Sequence, residues 1–222
     1  MSGRQSSLVL IRHGQSTYNE KNLFTGWEDV ELTKQGINEA QQVVPLISNL
    51  VFTHAFTSKL IRAQHTLEII LKGIHQELPV IDNIALNERD YGELVGQNKL
   101  DAAEKYGTEQ VQIWRRSYGT PPPDGESLRM TANRTIPYFT EKIEPLLEEN
   151  NTIIISAHGN SIRSIVMYLH KLSNEQILKT EIGWCEPWVY KFDDGEIAEF
   201  NIISRPGFQS YSHLQETSVE LI

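Results

Sequence analysis

Two segments of this 222-residue chain share one pattern, a run of apolar residues that ends in His-Gly. The first is LVLIRHG, which ends at Gly14, and the second is IIISAHG, which ends at Gly159. Unbroken apolar runs of this length are typical of strands covered on both faces, as in a parallel sheet. Ligands of open α/β sheets bind beyond the carboxyl ends of such strands. The pattern therefore predicts that His13 and His158 lie at one shared site.

A pair of histidines at one site indicates phosphoryl chemistry. One imidazole can act as the nucleophile while the second stabilises charge on the group being transferred. The alternative is two unrelated histidines, each satisfied by local hydrogen bonds. The shared site is favoured because the same strand pattern precedes each histidine and a glycine follows each one.

The rest of the chain alternates between strand-like and helix-like patterns, which is typical of α/β proteins. We expect a three-layer sandwich with a mostly parallel central sheet, helices on both faces and one antiparallel edge hairpin. Thr33 is the expected cap of the first long helix. Strands are predicted at 51–57 and 79–81, helices at 60–71, 99–116, 126–149 and 162–169, and the hairpin at 189–200 with its turn at Asp194-Gly195. Pro137 and Pro145 are expected to kink or split the helix at 126–149.

The chain is expected to form a single domain over residues 1–222. Nothing in it resembles a Pro- or Gly-rich linker between two halves. Residues 1–7 and 206–222 are polar, and we expect them to be mobile tails. The amino-terminal segment lacks the apolar stretch of a signal peptide, and no run is long enough to cross a bilayer, so the expected location is cytoplasmic. Because Cys185 is the sole cysteine, an internal disulfide and a multi-cysteine metal site are excluded.

The charge pattern favours a small anionic ligand. A formal net charge of −9 would repel nucleic acid and anionic membrane surfaces, so neither is an expected partner. The predicted fold nevertheless brings several basic residues into one region, which indicates a cationic pocket in an acidic protein. These residues are Arg12, Arg62, Arg89, Lys99, Arg115 and Arg116.

Several short motifs resemble the histidine phosphatase superfamily: Arg12-His13-Gly14, Glu88-Arg89, and His158-Gly159 followed by Arg163. A longer set is similar to the cofactor-dependent phosphoglycerate mutases and extends over about Leu8 to Phe200. That set comprises FTGW at 24–27, TS at 57–58 through RA at 62–63, LNERDYG at 86–92, WRR at 114–116 and AHGNS at 157–161. The resemblance implies interconversion of 3-phosphoglycerate and 2-phosphoglycerate, primed by 2,3-bisphosphoglycerate and needing no metal.

The resemblance also implies roles for individual residues. His13 would be the nucleophile and form a phosphohistidine, while Arg12, Arg62 and His158 would surround the transferred group. Glu88 would be the general acid and base, which requires a pKa above that of a free carboxyl group. Arg89, Lys99, Arg115 and Arg116 would hold the carboxylate and the second phosphate, and Asn19, Thr25, Gly26, Tyr91, Gly159 and Asn160 would supply neutral hydrogen bonds. The simpler interpretation of Glu88 is a salt bridge with Arg89, and that of Trp114 is core packing.

The chain departs from the resembling family at three places. Gln15 stands where Glu is common, the connection 117–127 lacks a segment that longer mutases carry, and residues 183–187 replace a Thr-Gly turn. The missing segment helps to cover the site and to build subunit contacts in longer relatives. Either a homodimer or a monomer is therefore compatible with the sequence.

Two other functions remain open on the sequence alone. A phosphatase on the same scaffold would pass the phosphoryl group to water, and the short connection at 123–127 resembles that branch. A binding module for a phosphorylated ligand would need the arginines but would have no use for a general acid. Lys99, Arg115 and Arg116 favour the mutase over the phosphatase.

Overall fold

The computed structural model describes residues 5–204, in which six strands and eight α-helices are present. The strands are β1 (Gln5–Arg12), β2 (His54–Thr57), β3 (Val80–Asp82), β4 (Thr152–Ala157), β5 (Trp188–Asp193) and β6 (Glu196–Ile202). The helices are α1 (Thr17–Glu20), α2 (Lys34–Ile47), α3 (Ile61–Gly73), α4 (Lys99–Tyr106), α5 (Thr108–Arg116), α6 (Leu128–Tyr138), α7 (Gly159–Leu169) and α8 (Asn174–Lys179).

All six strands belong to one sheet with the order β3-β2-β4-β1-β5-β6. The first four are parallel, whereas β5 and β6 are antiparallel to their neighbours and form the edge hairpin. The two His-Gly strands, β1 and β4, are direct neighbours, and their register pairs Arg12 with Ala157. The next residue of each strand is a histidine, so the pairing brings both histidines to the same edge of the sheet.

Alternate residues of the central strands pack against opposite layers of helices. Leu8 and Leu10 of β1 face a core built with α6, α7 and α8, whereas Val9 and Ile11 face a core built with α2 and α3. Both faces of β1 are fully buried, which explains its unbroken apolar run. The predicted three-layer α/β sandwich with an antiparallel edge hairpin is confirmed.

Several helix boundaries follow from local chemistry. Thr33 caps α2 as predicted, since its hydroxyl accepts a hydrogen bond from Gly36 N at 3.1 Å. The helix predicted at 99–116 is instead two helices, because Gly107 adopts φ +89° between them. The helical stretch predicted at 126–149 is split, as Pro137 and Pro145 led us to expect: α6 ends at Tyr138, and a π turn and a 3-10 turn follow it. Pro145 is the second residue of the 3-10 turn, where its missing N–H is tolerated because the first turn of a helix has no internal acceptor for it.

The amino-terminal tail is shorter than expected. Residues 5–7 were predicted to be mobile, but they form the start of β1 and pair with β5. Ser6 is 2 % exposed, and its hydroxyl accepts a hydrogen bond from Asn151 N. The remainder of that tail and the predicted tail 206–222 lie outside the described residues. No helix within residues 5–204 has the length and apolar composition needed to cross a lipid bilayer.

Candidate active site

The two histidines that follow β1 and β4 lie side by side at the carboxyl edge of the sheet. Their ring centroids are 5.0 Å apart, and both side chains are buried. The end of β2, the neighbour of β4, contributes Ser58, whose hydroxyl oxygen lies 2.7 Å from His158 Nε2. Three adjacent parallel strands therefore build the floor of the site, as expected for an open α/β sheet.

His13 is oriented as a nucleophile. Its Nδ1 lies 2.7 Å from the carbonyl oxygen of Gly14. A carbonyl can only accept, so Nδ1 carries the proton and the Nε2 lone pair is available. Burial, with Arg62 and Arg12 nearby, holds the pKa of His13 well below its ordinary value of 6.5. The imidazole is therefore neutral, which attack on phosphorus requires.

His158 is also neutral. Burial lowers the pKa of His158 well below 6.5, and the positive charge of Arg62 lowers it further. A neutral imidazole still has one N–H, so His158 can donate a hydrogen bond to an anionic group beside His13 without carrying a positive charge at physiological pH.

Arg12 and Arg62 are held rigidly beside the histidines by backbone carbonyls. Arg12 Nη1 donates to Ile182 O at 2.9 Å, while Arg62 donates to Gly26 O at 2.8 Å and Glu28 O at 2.9 Å. Burial lowers the pKa of Arg62 to about 10, so the side chain stays charged. The Nε atoms of both arginines are buried and have no hydrogen-bond partner among the described residues. Buried, charged, unpaired donors fit an anionic group such as a phosphoryl group.

Glu88 lies at the junction between the histidines and a wider cavity. Its Oε1 accepts hydrogen bonds from Arg89 N at 2.7 Å, Asn160 N at 3.1 Å and Asn160 Nδ2 at 2.9 Å. Burial raises the pKa of Glu88, but the hydrogen bonds from Arg89 and Asn160 and the charges of Arg12 and Arg62 outweigh it, and the pKa lies below 4.5. The predicted raised pKa is therefore wrong, because these donors and charges favour the carboxylate.

The alternative salt bridge between Glu88 and Arg89 is absent from the ion pairs of the described residues. The Arg89 guanidinium instead donates to the hydroxyl of Tyr91 at 2.9 Å and to the carbonyls of Trp114 and Arg115 at 3.3 Å. Arg89 thus fixes the carboxyl end of α5. Trp114 packs in a small cluster with Phe24, as its bulk suggested.

The site residues predicted from the sequence line two adjoining cavities, except His158, which is fully buried behind them against His13. The inner cavity, about 80 Å³, is lined by Arg12, His13, Asn19, Thr25, Gly26, Arg62, Glu88, Tyr91 and Lys99, together with Leu23 and Phe24. The outer cavity, about 140 Å³, shares Arg12, Glu88, Tyr91 and Lys99 and adds Arg89, Arg115, Arg116, Gly159, Asn160, Arg163, Glu181 and Ile182. Both cavities are small, and basic side chains dominate the walls of the outer one.

Arg134 is a residue of the site region that the sequence did not reveal. Its guanidinium donates to the carbonyls of Ala85, Asn87 and Glu88 at 2.8–3.1 Å and forms an ion pair with Glu126 at 2.8 Å. The segment that carries Glu88 is thereby fixed to α6. No sequence pattern marks this role, because the acceptors are backbone carbonyls and any residue type could supply them.

The three departures from the family pattern are accommodated around the site. The Gln15 side chain accepts a hydrogen bond from the Thr33 hydroxyl at 2.9 Å, which ties the turn after His13 to α2. The Trp184 ring centroid lies 5.5 Å from the guanidinium carbon of Arg12, within cation–π range. The short connection packs directly on the backbone near Tyr91, and Glu93 N donates to Pro123 O at 3.0 Å.

Comparisons with known proteins agree with this geometry. Residues 8–202 match the model of the histidine phosphatase superfamily (branch 1). The 2,3-bisphosphoglycerate-dependent phosphoglycerate mutase of Parvibaculum lavamentivorans is 55% identical over 190 residues, which cover 84% of this chain and 90% of that protein. The enzyme of the same name from Xanthobacter autotrophicus is 53% identical over 86% of this chain and 95% of its own length.

Solved structures show the same fold in more distant proteins. The alpha-ribazole phosphatase of Shigella flexneri superimposes with a TM-score of 0.78 at 22% identity, covering 92% of this chain and 98% of that one. Mycobacterial glucosyl-3-phosphoglycerate phosphatase gives a TM-score of 0.77 at 21% identity, covering 91% of this chain and 100% of that one. These two likenesses concern the fold alone.

Proposed function

The chain belongs to the histidine phosphatase superfamily, and we propose that it interconverts 3-phosphoglycerate and 2-phosphoglycerate through a phosphohistidine at His13. One observation carries the proposal: a neutral imidazole with a free Nε2 lies near two buried guanidinium groups whose Nε atoms are unpaired among the described residues. The identity of more than half of the aligned residues with named mutases supports the choice of substrate.

In the proposed reaction, His13 Nε2 forms a bond to phosphorus as the bond between phosphorus and the ester oxygen breaks. Arg12, Arg62 and His158 supply donors to the equatorial oxygens, where the transition state carries spread negative charge. Glu88, when protonated, gives its proton to the departing oxygen. In the return transfer, the phosphoryl group leaves His13 Nε2 and bonds to the hydroxyl oxygen on the other of the two carbons, C2 or C3. The Glu88 carboxylate takes the proton of that hydroxyl.

The lowered pKa of Glu88 suits the step in which it accepts a proton. The positive charges of Arg12 and Arg62 contribute to that lowering, so an anion that binds to these arginines also changes the pKa of Glu88. A phosphoryl group between the two arginines would offset their charges and raise the pKa of Glu88 towards the range needed for proton donation.

The basic residues of the outer cavity support a mutase over a simple phosphatase. Lys99, Arg115 and Arg116 line the outer cavity, and in this proposal they hold the carboxylate and the phosphate that is not being transferred while His13 acts on the other phosphate. The same residues fit 2,3-bisphosphoglycerate, with Arg12 and Arg62 available for one of its phosphates. When bound, that compound supplies the phosphoryl group that loads His13.

The test is to mix the purified protein with 2,3-bisphosphoglycerate and measure acid-labile phosphate on His13, then to follow 2-phosphoglycerate formed from 3-phosphoglycerate. The variant His13→Gln should take up no phosphate and give no product. Inorganic phosphate as the main product would identify a phosphatase instead. Tight ligand binding with no phosphorylated protein would identify a binding module.

A further inference from the structure

Glu181 is, besides Glu88, the second carboxylate in the wall of an outer cavity that is otherwise rich in arginine. Arg116 Nη1 donates to its Oε1, and Arg163 Nη2 donates to its Oε2 at 2.8 Å. Burial raises the pKa of Glu181, but the charges of Arg163 and Arg116 and the hydrogen bond from Arg116 outweigh it, so the pKa is lowered and the group is ionised at neutral pH. The negative charge of Glu181 therefore forms an ion pair with Arg116, one of the arginines expected to bind substrate.

The two arginines differ in freedom. Arg163 is 14 % exposed, and its Nε donates to Thr180 O at 2.7 Å while its Nη1 donates to Asn160 at 3.3 Å. The side chain of Arg116 is 39 % exposed, and Glu181 is its ion-pair partner among the described residues. Arg163 therefore anchors Glu181 in place, whereas Arg116 can exchange Glu181 for a ligand at modest cost.

We propose that Glu181 is a specificity-determining residue that weakens binding of the bisphosphorylated ligand more than binding of the monophosphorylated ones. The inference rests on the proposed function. Repulsion from a fixed carboxylate grows with the charge of the ligand. 2,3-Bisphosphoglycerate carries two phosphates and a carboxylate, whereas each monophosphoglycerate carries one phosphate and a carboxylate. Glu181 thus limits how long the more charged species occupies a cavity rich in arginine.

The test compares Glu181→Gln with Glu199→Gln, both in the His13→Gln protein so that no phosphoryl transfer occurs. Glu199 is a matched control because it also forms an ion pair, with Lys191. Lys191 pairs with Ser7, six residues before His13 along β1, or roughly 20 Å at 3.3 Å per residue. Dissociation constants are measured by calorimetry at low salt for inorganic phosphate, 3-phosphoglycerate and 2,3-bisphosphoglycerate.

Glu181→Gln should tighten binding of 3-phosphoglycerate about 3-fold and of 2,3-bisphosphoglycerate about 10-fold, with the smallest effect on inorganic phosphate. Glu199→Gln should change none of them. Equal tightening for all three ligands, weaker binding, or no change would overturn the inference. A residue with a purely structural role would not change the three dissociation constants in the order of ligand charge. If neither phosphoglycerate binds while Glu181 is intact, the proposed function fails as well.

A second variant guards against local disruption by the new amide. Glu181→Ala removes the carboxylate without placing an amide nitrogen beside Arg163, and it should give the same order of effects. With His13 intact, the Glu181 variants should lower the half-activating concentration of 2,3-bisphosphoglycerate more than the KM for 3-phosphoglycerate. The opposite order would contradict the inference.

Discussion

At the scale of single residues, the environment of His13 shows how burial and charge prepare a nucleophile. The ring is 2 % exposed and lies beside Arg12 and Arg62, which together oppose its protonation. In the unfolded chain the same ring has an ordinary pKa near 6.5. Folding therefore excludes a proton that the unfolded chain would bind below pH 6.5, and the protein loses stability there as pH falls.

A variant at this position tests the linkage. In His13→Gln, one fewer imidazole must remain neutral, so the fall in free energy of unfolding between pH 7.5 and pH 5.5 should be smaller than in the wild type by about 1 kcal/mol. Denaturant titrations at the two pH values measure the difference. An equal fall in both proteins would show that His13 protonates as readily in the folded state as in the unfolded state.

At the scale of elements, the turn after β1 depends on contact between two backbones. A Cβ atom built on Gly36 of α2 would lie 2.2 Å from the carbonyl oxygen of Gln15, and one on Gly14 would lie 2.3 Å from the carbonyl oxygen of Gly36. The absence of a side chain at both positions therefore lets α2 pack directly beneath the turn that carries His13.

Gly36→Ala should separate α2 from this turn despite the better helix propensity of alanine. We expect a loss of about 1–3 kcal/mol in stability, as for other overpacked sites, and slower phosphorylation of His13. Gly119→Ala is the control, since its nearest neighbour would be Arg129 at 3.8 Å. Thermal unfolding and phosphate uptake measure both effects. A Gly36→Ala protein as stable and as reactive as Gly119→Ala would contradict the steric argument.

The attachment of the Glu88 segment to α6 gives a second prediction at this scale. Arg134→Met would remove its hydrogen bonds to four backbone carbonyls of residues 84–88 and leave the Glu126 carboxylate, 17 % exposed, without its ion-pair partner. Because the pair is not fully buried, we expect a loss of roughly 2 kcal/mol, below the 3–5 kcal/mol of fully buried pairs. Since Glu88 would be misplaced, kcat should fall more than KM rises.

The double variant Arg134→Met with Glu126→Gln separates the two contributions. Removing the unpaired carboxylate should recover part of the stability, so the two losses should not add. Activity should not recover, because the Glu88 segment would still lack its hydrogen bonds from Arg134, with Trp27 Nε1 as the remaining donor to the Glu88 carbonyl. Recovery of kcat in the double variant would show that Arg134 acts through Glu126 rather than through the Glu88 segment. Chemical denaturation and steady-state kinetics provide the two measurements.

At the scale of the whole molecule, net charge and local charge have opposite signs. The chain carries −9 overall, yet the walls of the outer cavity are dominated by arginine and lysine. If the net charge governed substrate binding, salt would screen repulsion and lower the KM for 3-phosphoglycerate. The positive charges of the cavity lie nearer to the bound substrate than most of the negative charges do, and salt screens their attraction. We therefore expect the KM for 3-phosphoglycerate to rise several-fold between 0.05 M and 0.5 M salt. Initial rates at fixed pH decide between the two.

The sequence predicted the layered fold and the two histidine strands because both depend on apolar periodicity, which the chain displays directly. Gly107 was missed as a helix break since a single glycine also occurs inside helices. The lowered pKa of Glu88 was missed for a different reason. Burial can be inferred from a sequence, but the donors contributed by Arg89 and Asn160 depend on how distant segments meet. The roles of Arg134 and Glu181 could not be predicted for the same reason, because tertiary contacts determine their partners.

The adjacency of β1 and β4 has a consequence for biosynthesis. The strand that precedes the nucleophile, β1, is synthesised well before its neighbour in the sheet, β4, and the second imidazole, because β2, β3 and six helices lie between the two strands in the sequence. Domains tend to fold as units, and pairing between such remote segments is slow. A nascent or prematurely terminated polypeptide without β4 therefore lacks half of the reactive centre, and it cannot consume phosphorylated metabolites until β4 has been synthesised.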